Sequence, residues 1–238
     1  MNSLLRRSVA EAFGTFGLIF IGAGSVIANS YPGASFGLLG IALAHALVFS
    51  VVVTATMNIS GGHINPAVTV GLLVARRVDG KTAGVYIAAQ LLGAVIGALA
   101  LKFVFPVHLA RTAAYGTPLI HTSVTGGQAV LMEAILTFFL VSAVFGTAVS
   151  PDAPKVGGFG IGLVLLFGIL VGGPLTGAAM NPARAFGPSV ASGIWTGHYV
   201  YWAGPLLGGI VAGVLWDRLL LPKHTPAGGE KREVRSKK

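Results

Sequence analysis

The tripeptide Asn-Pro-Ala occurs twice, at Asn65-Pro66-Ala67 and at Asn181-Pro182-Ala183, and each copy interrupts a chain that is otherwise compatible with lipid. Pro at the first position of a helix presets φ and lacks only an N–H that would have no partner there. Asn just before it is a preferred cap. Each copy therefore reads as the start of a short helix at membrane depth. Two such N-termini facing each other create a positive, hydrogen-bond-donating spot inside the bilayer.

The rest of the chain fits a membrane. Apolar runs fall at roughly 5–28, 36–57, 82–103, 128–149, 157–173 and 198–220, most near the ~20 residues a spanning helix needs. Only 10% of residues are charged and 54% are apolar, against about 25% charged in soluble domains. A soluble chain of this kind would expose large apolar patches and aggregate. The expected fold is all-α and membrane-embedded, with six transmembrane helices plus two re-entrant half-helices. A single channel domain is expected over 1–222, with a basic cytoplasmic tail over 223–238. The segments Asn58–Ile64 and Gly172–Met180 are expected to be irregular, which membrane depth tolerates only where backbone is buried in protein or lines a water-filled cavity. The N-terminal run continues directly into further spans and carries Glu11, so it does not read as a cleaved signal peptide.

The two halves, about 5–103 and 128–220, repeat. Ala10-Glu11-Ala12-Phe13-Gly14-Thr15-Phe16 aligns with Met132-Glu133-Ala134-Ile135-Leu136-Thr137-Phe138, and Tyr86 to Gly93 aligns with Tyr201 to Gly208. Three spans per half force opposite orientations, so the repeat is inverted and the half-helices enter from opposite faces. Arg6, Arg7, Arg76, Arg77, Lys81, Lys155, Arg218, Lys223 and the tail share one side, with little beyond Lys102 and Arg111 on the other. That bias predicts both termini in the cytoplasm of a multi-pass protein, with the inner or plasma membrane as the expected home. The basic tail then marks a cytoplasmic flank, and no nucleic-acid partner is implied.

The residues offer no catalytic site. The chain has no Cys, no nucleophile elbow and no carboxylate pair at hydrolase-like spacing. His63 has no second His or Cys at ligand spacing, so no metal is expected, and no GK[ST] follows Gly157-Gly158-Phe159-Gly160. No cofactor is expected. What remains is two Asn amides, two helix N-termini and two rows of carbonyls in an apolar tube. That suits a neutral polar solute that both donates and accepts hydrogen bonds, and it repels cations. The symmetric Glu11 and Glu133 read as braces for the two irregular segments. His63 reads as structural, and His108 and His121 as solvated loop residues. Gly93 and Gly97, Gly158 and Gly162, and Gly209 and Gly213 are small-xxx-small pairs that let helices approach closely.

The double motif, Ser-Gly-Gly-His-Ile-Asn-Pro-Ala-Val-Thr and Gly-Ala-Ala-Met-Asn-Pro-Ala-Arg-Ala-Phe-Gly-Pro, resembles that of the major intrinsic protein (aquaporin) superfamily, and the resemblance runs from Glu11 to Trp216. It implies a passive water channel and a homotetramer with one pore per subunit. It also implies that Asn65 and Asn181 donate to a passing water, and that carbonyls of Gly61, Gly62, His63, Gly177, Ala178 and Ala179 line the two approaches. Counting from the motifs, the family's outer selectivity filter falls on His45, Ile169, Ala178 and Arg184. His45 and Phe49, like Leu165 and Ile169, stand four residues apart and share a helix face, so Phe49 and Leu165 are expected to form an apolar wall beside the asparagines.

This filter departs from the strict water-channel pattern of Phe, His, a small residue and Arg. His-Ile-Ala-Arg resembles the filters of plant tonoplast intrinsic proteins, which implies ammonia, urea, glycerol or hydrogen peroxide beside water. Ala185 and Ser189 stand where glycerol facilitators usually carry Asp and a base, and Tyr201-Trp202 resembles the aromatic pair of water channels. Three alternatives share the architecture. A glycerol or small-solute facilitator is one. An ion-coupled transporter needs a midplane ion site, yet neither half-helix holds Asp or Glu. A closed structural membrane protein, with Phe49 as a plug, is the third.

Overall fold

The computed structural model describes residues 3–222; the basic tail expected over 223–238 lies outside the described residues. Six helices are long and apolar enough to cross a membrane. They are α1 (Ser3–Ala28), α2 (Gly37–Ser60), α4 (Gly80–Val104), α6 (Gly126–Val149), α7 (Phe159–Thr176) and α9 (Val200–Leu220). Two shorter helices, α3 (Pro66–Val74) and α8 (Pro182–Ser192), begin at the Asn-Pro-Ala motifs. A further short helix, α5 (Val107–Thr112), lies in the connection between the halves. No strand occurs among the described residues.

The half-helices start as expected. Asn65 is extended, its Oδ1 accepts from Ala67 N at 2.8 Å, and Pro66 follows as the first helical residue. Asn181 does the same for Ala183 N at 3.0 Å. The irregular stretches are shorter than expected. Helix α2 runs on through Asn58 and Ile59 to Ser60, and α7 runs through Gly172-Gly173-Pro174 to Thr176. Each stops at the first glycine that turns left-handed, Gly61 at φ 94° and Gly177 at φ 79°, whose N–H groups bond back to Met57 O and Gly173 O. A left-handed glycine is a common helix stop.

The halves cross over in packing. Glycines let backbone meet backbone at four symmetric places. A Cβ on Gly93 would collide with Ala12 O, and one on Gly208 would collide with Ala134 O. These glycines lock α4 onto α1 and α9 onto α6. Gly209 and Gly213 of α9 likewise press on Ala67 O and Gly71 O of α3, while Gly187 of α8 presses on Ala94 O of α4. Each half-helix is thus clamped by the last span of the other half. Gly158 and Gly162 perform the same task between α7 and α2, against Ser50 and Ala46. Close approach of this kind supplies dispersion contacts where lipid removes the hydrophobic drive. Outward-facing Leu, Val, Ile and Phe side chains on every span stay exposed, as a lipid-facing surface requires.

Candidate functional site: a pore between two half-helices

The two irregular segments carry the same strain in the same order. Gly61, Gly62 and Ile64 have φ of 94°, 61° and 53°, and Gly177, Ala178 and Met180 have φ of 79°, 45° and 51°. A β-branched residue such as Ile64 is a genuine outlier there, and such strain persists only where the surroundings over-determine it. Glu11 and Glu133 supply that constraint. Glu11, fully buried, accepts from Ser60 Oγ at 2.6 Å, His63 N at 3.0 Å, Ile64 N at 2.6 Å and Gln90 Nε2 at 2.8 Å. Glu133 accepts from Thr176 Oγ1 at 2.6 Å, Ala179 N at 3.0 Å and Met180 N at 2.7 Å. Tyr86 and Tyr201 donate their hydroxyls to Ser60 O and Thr176 O at 2.9 and 2.8 Å.

With those N–H groups turned to the carboxylates, the carbonyls of Gly61, Gly62, His63, Gly177, Ala178 and Ala179 accept no hydrogen bond from the described protein groups. The next carbonyl in each row is taken. Asn65 Nδ2 donates to Met180 O at 2.8 Å, and Asn181 Nδ2 donates to Ile64 O at 2.9 Å. These reciprocal bonds tie the two half-helices tip to tip. An Asn amide has two N–H donors, so each keeps one in reserve.

One enclosed cavity is lined by Asn65, Asn181, Phe49, Leu165 and the four residues His45, Ile169, Ala178 and Arg184, together with Leu18, Leu140 and Ala179. His45, Ile169 and Arg184 also line a wider vestibule on one side, where Gly177 and the 112–119 connection join them. Ser60, Gly61 and His63 line a second vestibule on the other side, with Arg7 and Arg77 at its rim. A Cβ on Gly62 would meet Val53 O and Thr56 Oγ1 of α2 at 3.0 and 3.2 Å. The arrangement is a narrow throat between two mouths.

The four residues expected to form a filter differ in chemistry. Arg184, 5% exposed, donates from Nη1 to Gly116 O at 2.8 Å. His45 Nδ1 bonds Ile41 O at 2.9 Å, and a carbonyl can only accept, so Nδ1 carries the hydrogen. The neutral ring then presents Nε2 as an acceptor, and this buried atom has no protein partner among the described residues. Ile169 and Ala178 add apolar surface. His63 Nδ1 bonds Thr69 Oγ1 at 3.1 Å, and its ring stands edge-on to Tyr86. His108 and His121 are exposed on the connection between the halves, with His121 bonded to Ser123.

Several residues of this site escape the sequence reading. Leu18 and Leu140 follow Glu11 and Glu133 by the same seven positions, so the repeat itself holds the signal for them. Gly22 has no such mark. A Cβ there would lie 2.6 Å from His45 Cδ2, so its hydrogen leaves room for the His45 ring. Gly116, the acceptor for Arg184, lies in a stretch where Ala114, Tyr115 and Gly116 are all left-handed; nothing in its sequence pairs it with Arg184.

Comparison with known proteins decides the family. The major intrinsic protein family model matches residues 1–216. The chain belongs to the major intrinsic protein (aquaporin) family. It is 43% identical to aquaporin TIP4-4 of Zea mays, over 93% of this chain and 90% of that protein. Probable aquaporin TIP3-2 of Arabidopsis thaliana is 39% identical, over 92% of this chain and 85% of that one. Among solved structures, the aquaglyceroporin from Plasmodium falciparum superposes with a TM-score of 0.81 at 25% identity, covering 91% of this chain and 96% of that one. The all-helical fold with six apolar spans is that of this multi-pass aquaporin family.

Proposed function

We propose that this aquaporin-family chain is a passive pore for water that also admits small neutral solutes such as ammonia, urea, glycerol and hydrogen peroxide, and that it excludes protons and ions. The observation that carries the reading is the reciprocal pair of asparagine bonds, Asn65 Nδ2 to Met180 O and Asn181 Nδ2 to Ile64 O. They hold two amides and two positive helix ends in one cavity. A water there receives hydrogen bonds from both amides, so its own hydrogens point outward to the carbonyl rows. Cations meet positive helix ends and Arg184. No step of covalent chemistry is involved.

In this reading Arg184 and His45 Nε2 offer a donor and an acceptor at the outer constriction, while Ile169 and Ala178 widen it. Phe49 and Leu165 present an apolar wall that holds no solute. Glu11 and Glu133 position the carbonyls. Both termini are cytoplasmic, the chain assembles as a homotetramer, and its home is the inner or plasma membrane. The TIP names of the relatives make a vacuolar membrane the competing outcome, which cell fractionation decides. A glycerol-dedicated facilitator fits less well, because Ala185 and Ser189 replace the polar pair expected of one.

Stopped-flow light scattering of proteoliposomes tests the proposal. An osmotic step should give fast water efflux with a low activation energy. Urea, glycerol and ammonia gradients then rank the solutes. No rise over empty liposomes, with the protein confirmed in the membrane, would overturn the open-pore reading in favour of a closed structural role.

A further inference from the structure

The face of the molecule that holds the start of α1 and the end of α9 carries an unbalanced set of bases. Among the described residues it holds Arg6, Arg7, Arg76, Arg77, Lys81, Lys155 and Arg218, against Asp79, Asp152 and Asp217. Two of those acids are already engaged. Asp79 caps α4, accepting from Thr82 N at 2.9 Å and Thr82 Oγ1 at 2.7 Å, and these bonds hold its carboxyl below the usual range. Asp217 pairs with Arg77 at 3.2 Å.

Side-chain contacts join most of these bases into one arc. The Arg77–Asp217 pair ties the α3–α4 turn to the end of α9, where Arg218 follows. Arg7 lies over the Tyr86 ring at 5.2 Å, which ties the start of α1 and its Arg6 to α4, where Lys81 stands in the first turn. The turn itself is held firmly. Arg76 is left-handed at φ 57°, and Arg76 N and Arg77 N bond back to Leu73 O and Leu72 O at 2.9 and 2.8 Å. Two adjacent guanidiniums therefore stand on a fixed turn, beside a hollow lined by Leu73, Arg76, Arg77, Val78 and Asp79.

The chemistry beside the arc selects the partner. Leu5 is 55% exposed next to Arg6, Val74 is 40% exposed just before Arg76, and Leu219 is 74% exposed just after Arg218. A free anion in water has no use for apolar neighbours. A phospholipid does, since its phosphate meets the bases while its acyl chains lie along the exposed Leu and Val side chains. Arg suits a phosphate because its planar fork bonds two oxygens at once.

We infer that this arc, centred on Arg76, is a binding site for the headgroup of an anionic phospholipid. The inference does not depend on what the pore conducts. Each base near an anionic surface contributes a roughly fivefold preference.

The test uses the full chain in phosphatidylcholine vesicles doped with brominated phosphatidylglycerol or with brominated phosphatidylcholine. Quenching of Trp216, on the end of α9, reports which lipid sits beside this face; Trp195 and Trp202 are changed to Phe in all proteins compared. Brominated phosphatidylglycerol should quench several-fold more effectively. Arg76→Asn keeps a residue that tolerates the left-handed turn and should lower the preference roughly fivefold, while osmotic water flux stays unchanged. Lys155→Gln, outside the arc, should leave the preference intact. Equal quenching by the two lipids would overturn the inference. So would an equal loss with Lys155→Gln, which would mean diffuse surface attraction. Inorganic phosphate that erases the preference more than chloride at matched ionic strength would make this a free-phosphate site and also overturn it.

Discussion

At the scale of single residues, the proposed filter mixes one donor, one acceptor and two apolar side chains, and in that proposal the mixture sets the order of solutes. His45 is held by Ile41 O on one ring nitrogen and by the space above Gly22 on its edge. Replacing it with a bulkier ring that has no acceptor, as in His45→Phe, should narrow the throat. Urea and ammonia fluxes should fall more than water flux in proteoliposomes; an equal fall in all three would remove His45 from the filter. A second histidine, His198, contributes to the pH dependence of stability. Trp202 Nε1, which can only donate, bonds His198 Nε2 at 3.2 Å, and His198 Nδ1 meets Ser189 Oγ at 3.3 Å. Both nitrogens are used by the neutral ring, and burial holds its pKa below 6.5. The folded state therefore resists the proton. This contribution to stability is complete above the unfolded pKa of 6.5 and is lost as pH falls below it. Thermal unfolding in detergent should show Tm falling from neutral to mildly acidic pH, with the fall reduced in His198→Gln; an identical slope in that variant would remove His198 as the cause.

Elements carry the repeat. The strained segments exist because two buried carboxylates collect their N–H groups, and the two braces are not equal. Glu11 has a fourth donor in Gln90, while the aligned position in the second half is Pro205, which has no side-chain donor. Glu11→Gln and Glu133→Gln each put an amide N–H against backbone donors, costing about 1–3 kcal/mol for each group left without a partner. Water flux per channel should fall in both, since the carbonyl rows lose their anchor, and unchanged flux would show that the strain is held elsewhere. Gly209→Leu belongs to the same scale. Even its Cβ would stand 2.6 Å from Ala67 O, so α9 and α3 must separate; yield and oligomer size should fall, and a normal yield would contradict the clamp. The inverted repeat, the six spans and the starts of both half-helices were legible from the sequence because Pro, Asn and apolar periodicity act locally. The end of α7 was misplaced because Gly172, Gly173 and Pro174 read as breakers, and the end of α2 because its apolar run stops at Met57; both helices instead continue to the left-handed Gly61 and Gly177. Gly22 and Gly116 stayed hidden for the opposite reason. Their work is done on His45 and Arg184, far away along the chain, and no periodicity records such a contact.

For the whole molecule, the inverted repeat brings two helix N-termini of the same sign to one point, and neither half could do this alone. In the proposed function, exclusion of ions has two separated sources, the Arg184 guanidinium and the paired helix ends at the asparagines. These can be told apart. In N65D/N181D each new carboxylate still caps its half-helix through the oxygens that accept from Ala67 N and Ala183 N, and Asp is as good a cap as Asn. The donors to Met180 O and Ile64 O are lost, which costs about 1–3 kcal/mol for each carbonyl left bare. A fold clamped by the glycine contacts above should survive that. The change in charge is larger than the change in shape, because two carboxylates now face each other where the helix ends were positive. The centre should become a site that welcomes cations. Water flux should persist at a reduced rate, while proton or sodium leak, followed with a pH-sensitive dye or tracer sodium in proteoliposomes, should appear above the wild-type level. Leak in N65D/N181D would assign the central barrier to the helix ends. If the vesicles stay tight while water still passes, the helix ends are not the barrier, and Arg184→Val should then open the leak by itself.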